Sequence, residues 1–307
     1  LAILLVLTFL IIVVQNAIGV GGAILFDFPM QAGVMFGSAA LIGGHGTAIA
    51  WAPEVAASSG LGNASELGVA VATVGLIVAA LVGGPVAKLL IERDRLTPSR
   101  PDEEHTVGLP FEKEGHQRPI THISLMKVML ALNVAIILGF VLAGAIEETG
   151  LKLPVFVPCL IMGIVVGNLM PALFPRAAPI ARTPSLAVIS DFALGAFLAI
   201  SLMTLDFGTL AGLGLPIVAI IGVQTVATVL FVLYILFPLL GRGYRAAVLA
   251  AGFAGFSLGA TPTAIANMTA VTKRYGPSPI AFVVLPLVSA FFVDIVNAIV
   301  IQTIVNF

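Results

Sequence analysis

Long apolar runs alternate along the chain with short polar breaks. Uninterrupted apolar stretches occupy residues 1–26, 66–90, 122–146, 153–174, 184–205, 212–240 and 278–305. Each is long enough to cross the hydrocarbon core of a bilayer as a helix, which takes roughly 17–25 residues. Helical periodicity adds nothing to this reading, because a helix that faces lipid or lies inside a bundle is apolar all round. Two further stretches, 30–52 and 244–268, differ in kind. They are rich in Gly, Ala, Ser and Thr, and each carries a dense cluster: Gly43-Gly-His-Gly-Thr47 in one, Gly259-Ala-Thr-Pro-Thr263 in the other. One long polar segment, about 91–121, mixes prolines with charges of both signs, among them Glu92-Arg93-Asp94-Arg95 and Asp102-Glu103-Glu104. It predicts a solvated linker, so that the chain is organised as a first part over 1–90, a linker over 91–121 and a second part over 122–307.

Composition fixes the class. Of 307 residues, 59% are hydrophobic and 9% charged, with 14 Lys/Arg against 15 Asp/Glu for a net charge of −1. A soluble domain is about 25% charged. This chain has too little polar surface to cover a soluble globule and far too much apolar content for disorder. No basic stripe is present, so a nucleic-acid partner is excluded. The single cysteine, Cys159, excludes a disulfide framework and a cysteine metal cluster. No paired acid and base, nucleophile elbow or metal-ligand cluster points to an enzyme. The expected fold is all-α and polytopic, surrounded by membrane lipid. Leu1 opens an apolar run with no basic region or small-residue cleavage motif before it, so the start reads as the middle of a longer chain rather than a signal peptide.

Charge then sets sidedness, since cytoplasmic loops collect Lys and Arg. Seven of the fourteen lie between Lys88 and Lys127, which places the central loop in the cytoplasm. Carried through the spans, this puts 13 Lys/Arg inside and only Lys152 outside, provided that 244–268 enters and leaves on one side. The charge bias therefore predicts a re-entrant hairpin there and an external C-terminus.

The two Gly/Thr stretches correspond. Residues 43–50 (Gly-Gly-His-Gly-Thr-Ala-Ile-Ala) match 259–266 (Gly-Ala-Thr-Pro-Thr-Ala-Ile-Ala) at five of eight positions. Val14-Gln15 and Val223-Gln224 occupy the preceding span of each half, and each cluster precedes the last span of its half. With the topology above, one cluster enters from outside and the other from inside. That is an inverted-topology repeat with two re-entrant hairpins, an architecture of secondary transporters. The repeat leaves three spans of the second half, 122–146, 153–174 and 184–205, without partners in the first, so about 90 residues are expected upstream of Leu1.

Glycine- and proline-broken backbone at membrane depth is tolerated where it lines a cavity. Broken helices present free N–H groups at one tip, which suit carboxylates, and carbonyls at the other, which suit Na⁺. Gly44, His45, Gly46 and Thr47 form one candidate substrate-binding tip; Thr261, Thr263 and, a turn further on, Asn267 form the other. Close helix packing through small residues is the alternative for these clusters. His45 is open between a proton relay, a substrate contact and a hydrogen bond to the backbone. Trp51 aligns with Asn267 and is open between that site and an anchor at the membrane interface. In the last span, Asp294 and Asn297 share a helical face. No Lys or Arg lies in the core of any span. A bound cation is then the natural partner of Asp294, with Asn297 and the Gly259 carbonyl region completing an oxygen set for Na⁺; a protonated Asp294 bonded to a neighbouring helix is the alternative. The Gln15-Asn16 pair reads equally as interhelical hydrogen bonding or as function.

Four separated motifs in order, Val14-Gln-Asn-Ala-Ile-Gly19, Gly43-Gly-His-Gly-Thr47, Gly259-Ala-Thr-Pro-Thr-Ala-Ile-Ala-Asn-Met268 and Phe291-Phe-Val-Asp-Ile-Val-Asn-Ala298, resemble the bacterial glutamate:sodium symporter family. The resemblance covers essentially the whole chain. It implies a multi-pass protein of the bacterial inner membrane, with two inverted five-span halves, each with a re-entrant loop, homodimers, and Na⁺-coupled uptake of L-glutamate by alternating access. Read without it, the residues support a small-anion transporter, and a proton-coupled transporter or exchanger of a related small carboxylate is the alternative.

Overall fold

The computed structural model of the protein describes residues 1–98, 120–148, 155–173, 180, 183–203 and 214–306, and no strand occurs among them. In chain order the helices are α1 (Ala2–Leu25), α2 (Gly33–Phe36), α3 (Gly44–Ser59), α4 (Ala64–Asp94), α5 (His122–Glu147), α6 (Phe156–Leu173) and α7 (Pro184–Met203). There follow α8 (Gly214–Leu239), α9 (Tyr244–Leu258), α10 (Thr261–Tyr275), α11 (Pro279–Leu287) and α12 (Val293–Val305). Among the described residues α1, α4, α5 and α8 are long and apolar enough to cross a membrane. π-turns at Val232–Leu236 and Val288–Phe292 lie beside Pro238 and Pro286, which supply no amide N–H to the helical ladder.

Contacts divide the chain into two compact units, Leu1–Leu109 with Asp206–Phe307, and Pro110–Leu205. In the first, elements from both halves pack together; the second holds α5, α6 and α7, with Ser124 Oγ 2.7 Å from Ser185 Oγ between α5 and α7.

Element ends differ from the sequence reading in three places. Helix α4 runs to Asp94, so Ile91, Glu92, Arg93 and Asp94 are helical rather than linker, and Arg95 in a left-handed conformation (φ +50°) ends it. The charged run can continue the helix because its side chains lie beyond the apolar span, where Arg93 Nε donates to Asp94 Oδ1 at 2.7 Å. The reciprocal capping of Thr121 and Ser124 starts α5 at the expected position. Linker residues 99–119, together with Lys152, Arg176 and Arg182, lie outside the described residues.

The two small-residue stretches each form a broken helical pair, longer than expected. The first comprises a 3₁₀ turn at Met30–Ala32, α2, an irregular turn over 37–43, and α3, which continues through its alanine-rich second half to Ser59 and stops at Gly60 (φ +72°). The second is α9 and α10, which lie antiparallel. A Cβ added at Gly255 would lie 2.8 Å from Ala264 Cα, and one at Gly252 would meet Leu285 and Met268. Their turn is Gly259–Ala260, and α10 extends past residue 268 to Tyr275, where Gly276 (φ +122°) ends it.

Helix α4 holds both pairs. Gly68, Gly75 and Gly83 recur every two turns and so share one face. Added Cβ atoms would meet Ala48 and Met35 at Gly68, the Leu258 carbonyl and Leu41 at Gly75, and Asn267 and the Ala251 carbonyl at Gly83. Small residues let the backbones approach closely, which is how helices associate where apolar burial supplies no drive.

Candidate functional site

The structure brings the two Gly/Thr clusters together. Gly44 takes a left-handed conformation (φ +66°), and a Cβ there would lie 3.7 Å from the carbonyl oxygen of Gly259. Both α3 and α10 start at this meeting point, and no side chain caps either of them. Their first-turn N–H groups are thus uncommitted, and the positive ends of two helix dipoles are present at one place. Free N–H groups and positive dipole ends are the chemistry that suits a carboxylate.

The side chains around it sort themselves by their partners. Thr47, buried, and Thr263, half-buried, have hydroxyls with no hydrogen-bond partner among the described residues, and they occupy matching positions in the two clusters. Gly46 is exposed beside them. Thr261 Oγ1 donates to Ser289 Oγ at 3.1 Å, linking the second pair to the π-turn before α12. His45 Nε2 lies 3.0 Å from Thr73 Oγ1. Thr73 spends its own proton on the Val69 carbonyl at 2.8 Å, so this contact has His45 donating. Asn267 Nδ2 donates to the Ala79 carbonyl at 3.0 Å and clamps α10 on α4. Trp51 is fully buried in the packed core.

The three residues expected to hold a cation are not joined to one another by any hydrogen bond. Asn297 accepts from Ser38 Oγ at 2.5 Å and donates from Nδ2 to the Ser38 carbonyl at 3.2 Å, so its amide is committed to the turn after α2. Gly259 is buried against Ala79 and Leu76 of α4. Asp294 is half-buried, with no partner for its carboxylate among the described residues. No group of three or more His, Cys, Asp or Glu that could hold a metal ion occurs among the described residues.

Two glutamines cross between the halves: Gln15, which the sequence left open, and Gln224, which entered only as its repeat match. Gln15 Nε2 donates to the Ser257 carbonyl at 2.6 Å, and Gln224 Nε2 donates to the carbonyls of Gln15 at 2.8 Å and Phe36 at 3.1 Å. Each therefore reaches from its own half into the broken pair of the other. The matched Val-Gln dipeptides were the available signal. Ser38, which joins Asn16 (2.6 Å) to Asn297, carried no such signal, being one serine in a small-residue run.

The family model described as sodium/glutamate symporter matches residues 1–277. A sodium/glutamate symporter of Escherichia coli (strain K12) is 41% identical over 297 residues, covering 95% of this chain and 72% of the relative. One from Haemophilus influenzae is 38% identical over 290 residues, covering 94% and 71%. No solved structure matches.

Proposed function

The chain belongs to the sodium/glutamate symporter family, a family of transporters and not of enzymes, and from that premise we propose that it carries L-glutamate into the cell together with Na⁺. The carrying observation is the meeting of Gly44 and Gly259 at the uncapped starts of two helices. Glutamate brings two carboxylates, and no span core supplies an arginine to clamp them. Backbone N–H groups of the two tips, with the free hydroxyls of Thr47 and Thr263, are the matching donors. Thr261 and Asn267 hold the second tip in place through Ser289 and Ala79, and His45 holds the first through Thr73. The committed proton of His45 favours this positioning role over proton coupling.

Asp294 is the anionic partner of Na⁺ in this reading, as a carboxylate at that depth is costly without a cation. The two broken pairs are re-entrant hairpins of an inverted repeat that opens alternately to either side, the central loop faces the cytoplasm, and the working protein is a homodimer in the inner membrane. The test is uptake against Na⁺ concentration at constant pH for wild type and Asp294→Asn. A higher half-saturating Na⁺ in the variant supports the assignment; identical values remove Asp294 from it.

A further inference from the structure

The interface of α1 and α8 carries buried side-chain oxygens with no hydrogen-bond partner among the described residues. A Cβ at Gly22 would lie 2.7 Å from Ile220, while the Gln224 amide rests on the Gln15 carbonyl, so the two helices run antiparallel. One turn past Gln224 on α8 comes Thr228; two turns before Gln15 on α1 comes Thr8. Both lie on the same side of the Gln15–Gln224 contact. Thr8 is 1% exposed, and Gln15, Gln224 and Thr228 are 0% exposed. The side-chain oxygens of all four, Thr8 Oγ1, Gln15 Oε1, Gln224 Oε1 and Thr228 Oγ1, have no hydrogen-bond partner among the described residues.

Thr8 and Thr228 differ from five other helical threonines. Thr73, Thr225, Thr269, Thr272 and Thr303 all close a hydrogen bond to the carbonyl four residues earlier. Thr8 and Thr228 do not. The glutamine amides are fixed in orientation, since turning either over would set its oxygen against the carbonyl that its nitrogen now serves. Their oxygens are thereby left bare, close to the C-terminal, negative end of α9 at Ser257. Four bare oxygens inside a membrane are costly unless something positive meets them. Neighbouring Ile11, Ile12 and Phe231 are buried and apolar, so these oxygens are the groups there that could meet a dehydrated cation.

We propose that this seam is a Na⁺ site and passage distinct from Asp294, with the ion held at the Gln15 and Gln224 side-chain oxygens and passed along Thr228 and Thr8. The proposal rests on the symport reading above. The test uses the unfolding midpoint of the purified protein in detergent, measured against NaCl with choline chloride as the balancing salt. Thr228→Val and Thr8→Val keep the shape and break no hydrogen bond, so both should fold. The Na⁺ concentration giving half of the stabilisation should rise about tenfold in each, as expected for the loss of one contact to a charged group. Thr228→Ser, which retains the hydroxyl, should behave as wild type. Unchanged Na⁺ dependence in both valine variants, with wild type still stabilised by Na⁺, overturns this inference alone. Absence of Na⁺ stabilisation in wild type overturns it as well, and absence of Na⁺-driven uptake in wild type is what overturns the symport reading.

Discussion

Gly75 is the point where α4 touches both broken pairs, and adding one methyl group there tests the packing directly. The new Cβ would lie 2.6 Å from the Leu258 carbonyl oxygen and 2.7 Å from Leu41 Cδ2. Ordinary carbon–oxygen contacts between backbones are about 3.3–3.6 Å, so the overlap approaches an ångström. The oxygen belongs to the last residue of α9 and cannot swing aside, and Leu41 is fully enclosed. Overpacking of this kind costs about 1–3 kcal/mol. Against it stands the gain from replacing glycine inside a helix, about 0.8–1 kcal/mol. Overlap with an immovable backbone atom puts the cost at the upper end, and Gly75→Ala should destabilise by about 1–2 kcal/mol net. Gly222→Ala in α8 is the control: nothing among the described residues lies within 4 Å of its added Cβ, so only the helix gain remains, about 0.5–1 kcal/mol of stabilisation. Unfolding of both purified variants in one detergent reads the difference. Equal stability of Gly75→Ala and Gly222→Ala would refute the close approach of both pairs to α4.

Thr263→Val removes one hydroxyl with little change of shape, and substrate affinity should fall about ten- to a hundredfold, as for a lost hydrogen bond to a charged group; unchanged affinity in equilibrium binding removes Thr263 from the site. A cysteine at Thr97, just beyond the end of α4, should react only with reagents that reach the cytoplasm, and labelling from outside intact cells would invert the topology.

Much of this was legible in the sequence because bilayer physics leaves few options. A run of apolar residues as long as 1–26 or 66–90 has to be a helix in lipid, and the Gly/Thr clusters announce breaks, after which Gly44–Thr47 and Thr261–Thr263 begin new helices. Helix ends were less legible. Glu92, Arg93 and Asp94 look like linker by charge, yet a helix emerging from lipid can carry charges in its last turn. The past-52 and past-268 extensions of α3 and α10 were hidden because polar and charged residues, such as Glu54, Ser58 and Ser59 in one and Thr272, Lys273 and Arg274 in the other, break the apolar run without breaking the helix. Partnership was the least legible. Asn267 and Asn297 carry the right chemistry for a site, but Asn267 Nδ2 is engaged by the Ala79 carbonyl and both ends of the Asn297 amide by Ser38, and only three-dimensional contact decides that. The crossed reach of Gln15 and Gln224 likewise depends on two helices meeting that are two hundred residues apart in sequence.

The central claim is that Na⁺ drives glutamate through this protein. Purified protein in sealed liposomes, loaded without Na⁺ and diluted into labelled L-glutamate at one pH, gives the direct measurement. An inward Na⁺ gradient should drive accumulation above the external concentration, and collapsing that gradient should abolish it. Accumulation that persists without Na⁺ and follows an imposed pH gradient instead would contradict the account.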